Sequence, residues 1–535
     1  MGVQGIWDIV EPIAVECSLD DFVAEEQVRR IKGGTYQAGR PFVVGIDMSS
    51  TTLDRITHNL IPFSKFQAHS PTNGAHSQVF RLLAQLDRSS VMSIWVADGT
   101  ERPPVKRGLA VIPDEPSFYK ETRELVEAFG HHVHMAPGEA EAELAVMARN
   151  GLVDAIVTDD SDAIVLGAPC VMVIKGTDSR MMVKVYRFAD VERKLRLTHG
   201  DLILYATLVG NDYDSGVERI GHELGLAVAR CNYGSKLMSK FPHHNRNRHR
   251  SEDLDAHLSH VCHQICAELQ FNYHGYLKKN QPSASKRLKA DQQRLFSADS
   301  VAINAFILPL TSWSKSRPPS QDTWIPKLYE LKDIIQKARS LVKWTSNERL
   351  MKKFHEKGLW AGLITRMLTL GYLRFHRASG NILAPSQQES ARFSYGHSFH
   401  PSQHSIVVAH TRHNPLTTST QRMHITFSTA KLFLGPAMLH LGLSVDAMDE
   451  FRQSIRVSIP SYLLAVSAVE HILSNFPLSA TRAHEYIEIS DDDDDATCSS
   501  DSDIEWGEVS YAVRAEGSAS DSDIEWGEMT SSSGQ

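Results

Sequence analysis

Three short apolar runs, each closing on aspartate, constrain this chain more than any other feature. Residues 41–50 read PFVVGIDMSS and bring their apolar stretch to Asp47; residues 91–99 read VMSIWVADG and close on Asp98. Residues 153–162, VDAIVTDDSD, end in Asp160 and Asp162. Runs of about five apolar residues without alternation fit strands buried on both faces. Helical segments are predicted between them, over about 76–88, 117–129 and 138–150. Strands alternating with helices predict an α/β fold with a mainly parallel central sheet flanked by helices. Sites in such folds form beyond the carboxyl ends of the strands, and all three runs deliver acids there.

A fourth source of acid precedes the third run. PGEAEAELA (137–145) sets Glu139, Glu141 and Glu143 at alternate positions. Residues two apart do not share a face of a regular helix. Glu139 is therefore expected at the helix entrance, where Pro137 and Gly138 allow a non-helical backbone, and Glu143 is expected to be structural. One aspartate at a strand end is ordinarily a turn or a cap. Several converging ones repel and raise each other's pKa, so a cluster persists where a cation neutralises it. An all-oxygen donor set suits Mg²⁺; no Cys or His stands at matching spacing, so zinc is not expected.

The order and spacing of these motifs resemble the structure-specific 5′ nucleases: flap endonucleases, the xeroderma pigmentosum group G repair nuclease and the Holliday-junction resolvase of the same family. MGVQGIWDIVEP resembles their N-terminal signature, GIDMS and ADG their first metal motifs, and APGEAEAELA with TDDSDAIVLGA their internal region. GNDYDSGVERIG resembles their last acidic motif and the start of a helix–two-turn–helix. The likeness covers about residues 1–235 and is nearest to the resolvase branch. It implies a PIN-like nuclease fold and two Mg²⁺ ions, with Mn²⁺ able to substitute, held by Asp47, Asp98, Glu139, Glu141, Asp160, Asp162 and Asp212. Asp160, Asp162 and Lys106 would be catalytic, Lys106 meeting the scissile phosphate. Gly2, Lys106, Arg107, Gly216 and Gly221 would contact branched or junction DNA in repair or recombination. Two departures stand out. Arg219 occupies a turn position where the family usually has Gly, and LAVIPDEPSF, with two Pro, is too short for the helical arch that encloses a free 5′ end. A catalytically silent DNA-binding scaffold and an RNA nuclease remain as alternatives.

The net charge of −8 divides unevenly. Residues 485–535 hold 16 acidic residues and one Arg, a balance of −15, which leaves +7 on the rest of the chain. A basic body suits a phosphate-rich partner. The six Cys form no CxxC pair, as in reduced thiols rather than a disulfide scaffold or zinc site. No apolar run is long enough for a membrane span. The expected organisation is 1–130 and 131–235 for the nuclease, 236–325 for a basic helical extension ending in a linker, 326–484 for a C-terminal region in the place of a chromodomain-like module, and 485–535 for a disordered acidic tail. KFPHHNRNRHR (240–250) and KKNQPSASKRLK (278–289) are basic stretches, the second similar to a nuclear-localisation signal. YIEISDDDDD, with Ile487 and Ile489, resembles a SUMO-interaction motif, and SDSDIEWGE occurs twice in the tail. Nuclear localisation is the expectation.

Overall fold

The computed structural model describes residues 2–57, 73–103, 105–106, 109–110, 117–176, 180–241, 252–376, 381–383, 406–408, 422–428, 454–460 and 462–463, with 38, 330 and 357 excepted. Strands are numbered β1 (Val15–Ser18), β2 (Phe42–Asp47), β3 (Val91–Ala97), β4 (Val105–Lys106), β5 (Leu109–Ala110), β6 (His132–Met135), β7 (Ala155–Val157), β8 (Cys170–Gly176) and β9 (Met182–Arg187). A seven-stranded sheet runs in the order β1-β9-β8-β7-β2-β3-β6. The pairs among β8, β7, β2, β3 and β6 are parallel; β9 joins antiparallel to β8, and β1 to β9. β2 and β3 are buried along their whole length, as their unbroken apolar runs require. The predicted helices appear as Asn73–Arg88, Ser117–Ala128 and Ala140–Arg149.

One apolar layer packs against each face of the sheet. On one side, Leu144 and Met147 meet Ile156 and the helix His199–Val209. That helix is buried nearly all round and starts on a capping box between Thr198 and Asp201. On the other side, Phe80, Leu83 and Trp95 pack with Trp344, Phe354 and Trp360 of the region 331–369. Helices Leu331–Ser340, Asn347–Glu356 and Leu359–Thr369 thus complete the cover of the sheet. The stretch 315–326 has the composition of a linker, yet its Trp324 is buried and Ile325 accepts a bond from His132 through its carbonyl. Five short strands, β10 (Arg374–His376), β11 (Asn381–Leu383), β12 (Ile406–Val408), β13 (Arg422–Ser428) and β14 (Ser454–Pro460), form an antiparallel sheet in that order. Ile382, Ile459, Tyr462 and Leu463 enter the same apolar cluster as Trp360.

Residues Met1–Pro477 form one compact unit, and Leu478–Gln535, with Ile487, Ile489 and both SDSDIEWGE copies, lie outside the described residues. The boundaries at 130, 235 and 325 fall inside the first unit. The last eight residues of KKNQPSASKRLK are the start of the helix Pro282–Leu295, with Ala284 and Leu288 buried.

Candidate metal centre

The parallel strands end at one rim, and the acids gather there. Asp47 closes β2 and is fully buried. Its Oδ1 accepts from the Ser49 amide at 2.8 Å; its Oδ2 accepts from the Ser49 hydroxyl at 2.9 Å and the Thr158 hydroxyl at 2.8 Å. Asp98, one residue beyond β3, accepts from the Ala140 amide at 2.9 Å and from Arg102 at 2.7 Å. It thereby caps the helix that carries Glu141. Glu139 is the N-cap residue of that helix, with extended backbone (φ −84, ψ 142). The non-helical entrance lets Glu139 and Glu141, two residues apart, reach one lysine. The loops after β3 and β6 touch directly: Gly99 donates to the Gly138 carbonyl at 2.7 Å, and a Cβ on Gly99 would overlap the Ala136 and Pro137 carbonyls.

Past β7 the chain turns on its own side chains. The Asp160 amide donates to Thr158 Oγ1 at 3.0 Å, and the Asp162 amide to Asp160 Oδ1 at 3.0 Å. Asp212 enters from just past the helix His199–Val209. Lys106, in the two-stranded β4–β5 ladder, reaches into the group: Nζ lies 3.0 Å from Glu139, 3.2 Å from Glu141 and 2.8 Å from Asp212. Lys106 is thus an ion-pair partner of the acids and not a solvated basic turn. All seven sequence-predicted acids belong to one electrostatic network, each perturbing or perturbed by another.

The network is over-negative. Burial and the neighbouring Asp98 charge hold Asp47 up at about 7. Burial, then Glu139, push Glu141 well above the ordinary carboxylate range; burial, then Asp160 and Asp212, do the same to Asp162. Asp160 and Glu139 are raised as well, chiefly by burial and against the pull of Lys106. Burial opposes the charge on Lys106, but Glu141, Glu139, Asp160 and Asp212 outweigh it and raise its pKa. Among the described residues, seven carboxylates stand against the side chains of Lys106 and Arg102. A divalent cation or two would relieve that imbalance, and an all-carboxylate donor set fits Mg²⁺.

Gly2 belongs to the same site. It has φ +84, and a Cβ there would overlap Asp160 and Asp162. The next residue, Val3, donates its amide to Asp162 Oδ1 at 2.7 Å, and Tyr205 holds the Gln4 carbonyl at 2.7 Å. Glu143 turns away: it is buried, bonded to His134 at 3.0 Å and to the Ser312 amide at 2.8 Å, a structural role as expected.

The predicted anchor follows Asp212. Gly216 (φ +74) packs against the end of the helix His199–Val209, and Gly221 caps the helix His222–Ala229 with open space beside it. Arg219 adopts φ +74 with its side chain exposed, so the turn keeps the left-handed backbone that Gly would supply without strain. Arg107 and residues 242–251 lie outside the described residues, and of 108–117 only 109, 110 and 117 are described.

Sequence reasoning missed four supports. Tyr213 donates its hydroxyl to Glu139, Arg102 pairs with Asp98, and Ser49 and Thr158 clasp Asp47. Ser49 and Arg102 lie two and four residues from their partners and were within reach of local pattern reading; the other two depend on folding.

Residues 130–212 match the XPG I-region model. The chain is 32% identical over 234 residues to flap endonuclease GEN-like 1 of Arabidopsis thaliana, covering 43% of this chain and 39% of the relative. It is 38% identical over 109 residues to the DNA repair protein rad13 of Schizosaccharomyces pombe, covering 20% of this chain and 10% of that one. It thus spans about two-fifths of the first of these relatives and a tenth of the second. Among solved structures it is similar to the Holliday junction-resolving enzyme GEN1 in complex with product DNA and Mg²⁺, with TM-score 0.56 and 16% identity over 88% of this chain and 99% of that one. At that identity the likeness speaks for the fold.

Proposed function

We propose that this chain, a member of the structure-specific 5′ nucleases by its I-region, is a Mg²⁺-dependent endonuclease that hydrolyses phosphodiesters in branched DNA during repair or recombination. The observation that carries the reading is the set of seven electrostatically linked carboxylates at the carboxyl ends of a parallel sheet, three of which meet Lys106 directly. When bound, the ions would supply an activated water and charge stabilisation for the leaving oxygen. Asp47, Asp98, Glu139, Glu141, Asp160, Asp162 and Asp212 would hold them, directly or through water, and Mn²⁺ would serve in place of Mg²⁺.

The chain's own groups do the rest. Asp98, which caps a helix, and the clasped Asp47 are oriented by two and three accepted hydrogen bonds, which leaves each a lone pair for an ion or its water. Lys106 would part from the carboxylates once they hold cations and would then meet charge developing on the phosphate. The Gly2–Val3 backbone closes the cluster from one side, where a side chain has no room. Gly221 and the helix His222–Ala229 would position the duplex through backbone amides without reading sequence. Affinity is then expected to fall steeply with salt.

Nuclear localisation and a SUMO-type partner for Ile487–Ile489 belong to this proposal. Among the described residues no helix is long and apolar enough to cross a membrane. The test is purified protein with Mg²⁺ against labelled 5′-flap, splayed-arm, four-way-junction and RNA substrates, the flap offered with free and blocked 5′ ends. Cleavage of branched DNA, equal on both flaps, is expected. Cleavage of RNA alone, or binding without cleavage, would replace the reading with one of its rivals.

A further inference from the structure

Away from the acid rim, three side chains of different chemistry converge. Cys231 follows the helix His222–Ala229, Glu268 lies in the helix Glu252–Phe271, and His274 sits in the turn beyond that helix. One ligand atom from each lies within 4.8 Å of the other two. Cys231 is 3% exposed and Glu268 fully buried, whereas the His274 side chain is 44% exposed. The turn is built to bring His274 back: Asn272 takes a left-handed backbone (φ 54), Gly275 another (φ 74), and the Asn272 side chain bonds the Leu277 amide and carbonyl at 3.0 and 2.9 Å. Glu268 is further oriented by Tyr233 at 3.2 Å and by the His274 amide at 3.0 Å, while His274 Nδ1 stands 2.7 Å from its Oε2.

We propose that Cys231, Glu268 and His274 form a Zn²⁺ site, distinct in place and chemistry from the acid cluster. A thiolate, an imidazole and a carboxylate are the donor types zinc takes, and they suit Mg²⁺ poorly. Zinc–ligand bonds of about 2.0–2.3 Å place tetrahedral ligands roughly 3.5 Å apart, inside the present spread. The charge closes: Zn²⁺ with one thiolate, one carboxylate and neutral imidazole is net zero, so the buried site carries no residual charge. On binding, the Cys231 thiol proton leaves to solvent and the Nδ1 proton of His274 passes to Nε2, through the exposed side of the ring. Water takes the fourth position there. Tyr233 stays as the outer hydrogen-bond partner of Glu268, the kind of support that orients a ligand carboxylate. Bound zinc would tie the helices after Gly221 to the helices 252–295. The spacing of 37 and then 6 residues matches no zinc motif, so no local pattern announces the site.

The experiment uses full-length protein, stripped by chelator and titrated with Co²⁺ and, separately, Zn²⁺ under buffered free metal. Expected is one equivalent of Zn²⁺ by elemental analysis. Co²⁺ should give a thiolate-to-cobalt charge-transfer band and tetrahedral d–d bands. Cys231→Ser should abolish the charge-transfer band, and His274→Ala should weaken binding by at least about tenfold. Both variants should keep Mg²⁺-dependent cleavage. His274 is half-exposed, so its variant keeps the test sound if Cys231→Ser fails to fold. No thiolate band in the parent protein, or a band that survives Cys231→Ser, overturns the proposal and leaves a hydrogen-bonded trio. Cobalt held only at the acid rim would show oxygen-donor spectra without that band, and would overturn it equally.

Discussion

The two ends of the parallel sheet treat buried carboxylates in opposite ways. At the amino ends, acids are matched. Asp154, just before β7, meets Arg30 and Arg40 at 2.8 Å each and also accepts from the Val43 amide. Asp87, before β3, meets Arg366 at 3.0 Å, beside a buried His131. Burial holds Asp87 up at about 7 against the pull of Arg366, and burial, then Arg366, keep His131 well below its usual value and so neutral. At the carboxyl ends, seven acids share Lys106 and Arg102. At the amino ends Asp154 and Asp87 each come with a guanidinium. At the carboxyl rim the acids outnumber the cations that meet them among the described residues.

That contrast breaks most sharply under Asp160→Asn. Cleavage should fall by several orders of magnitude while DNA binding stays within a few-fold, and metal-free thermal stability should hold or rise because a repelling charge is gone. Parent-level cleavage, followed on a labelled flap, would end the two-metal assignment. At the amino end the sign reverses. Arg366→Met leaves Asp87 buried and unpaired and should cost about 3–5 kcal/mol in chemical denaturation. Adding Asp87→Leu should recover most of the loss; no recovery would mean that packing of the helix Leu359–Thr369, and not charge, is what the arginine supplies.

Gly2→Ala probes the rim without touching charge. A methyl group there drives into Asp160 and Asp162, and misplacement of that size should lower the cleavage rate on the order of a hundredfold with little change in Tm. Unchanged turnover would place Gly2 outside the working site. The smallest effect is expected at Arg219. Arg219→Gly relieves a left-handed residue and should stabilise by up to about 1 kcal/mol, read as a rise in Tm. If DNA affinity falls while Tm rises, the guanidinium contacts phosphate and the strain serves binding.

How much of this could be read beforehand follows from the range of each interaction. The strand-end aspartates were legible because an unbroken apolar run and its terminal acid are neighbours in sequence. Glu139 at the helix entrance followed from Pro137, Gly138 and the two-residue spacing to Glu141. Arg366 with Asp87, and Tyr213 with Glu139, are separated by 279 and 74 residues, and no periodicity reports such pairs. The stretch 315–326 shows another limit. Pro and Ser announce irregular backbone, but they do not say whether that backbone lies against the body, as Trp324 does.

The bond from the Val3 amide to Asp162 spans 159 residues of chain. Closing so long a loop is entropically slow and contributes only once both ends are placed. The sheet can therefore form, with its aspartates already in line, before residues 2–5 thread between the helix His199–Val209 and the acid rim. Loosening of those few residues would silence the centre while leaving the β-sheet intact. Hydrogen exchange at the Val3 amide, set beside that of β2 and β3, would report the competent fraction of molecules that look uniformly folded by every bulk measure.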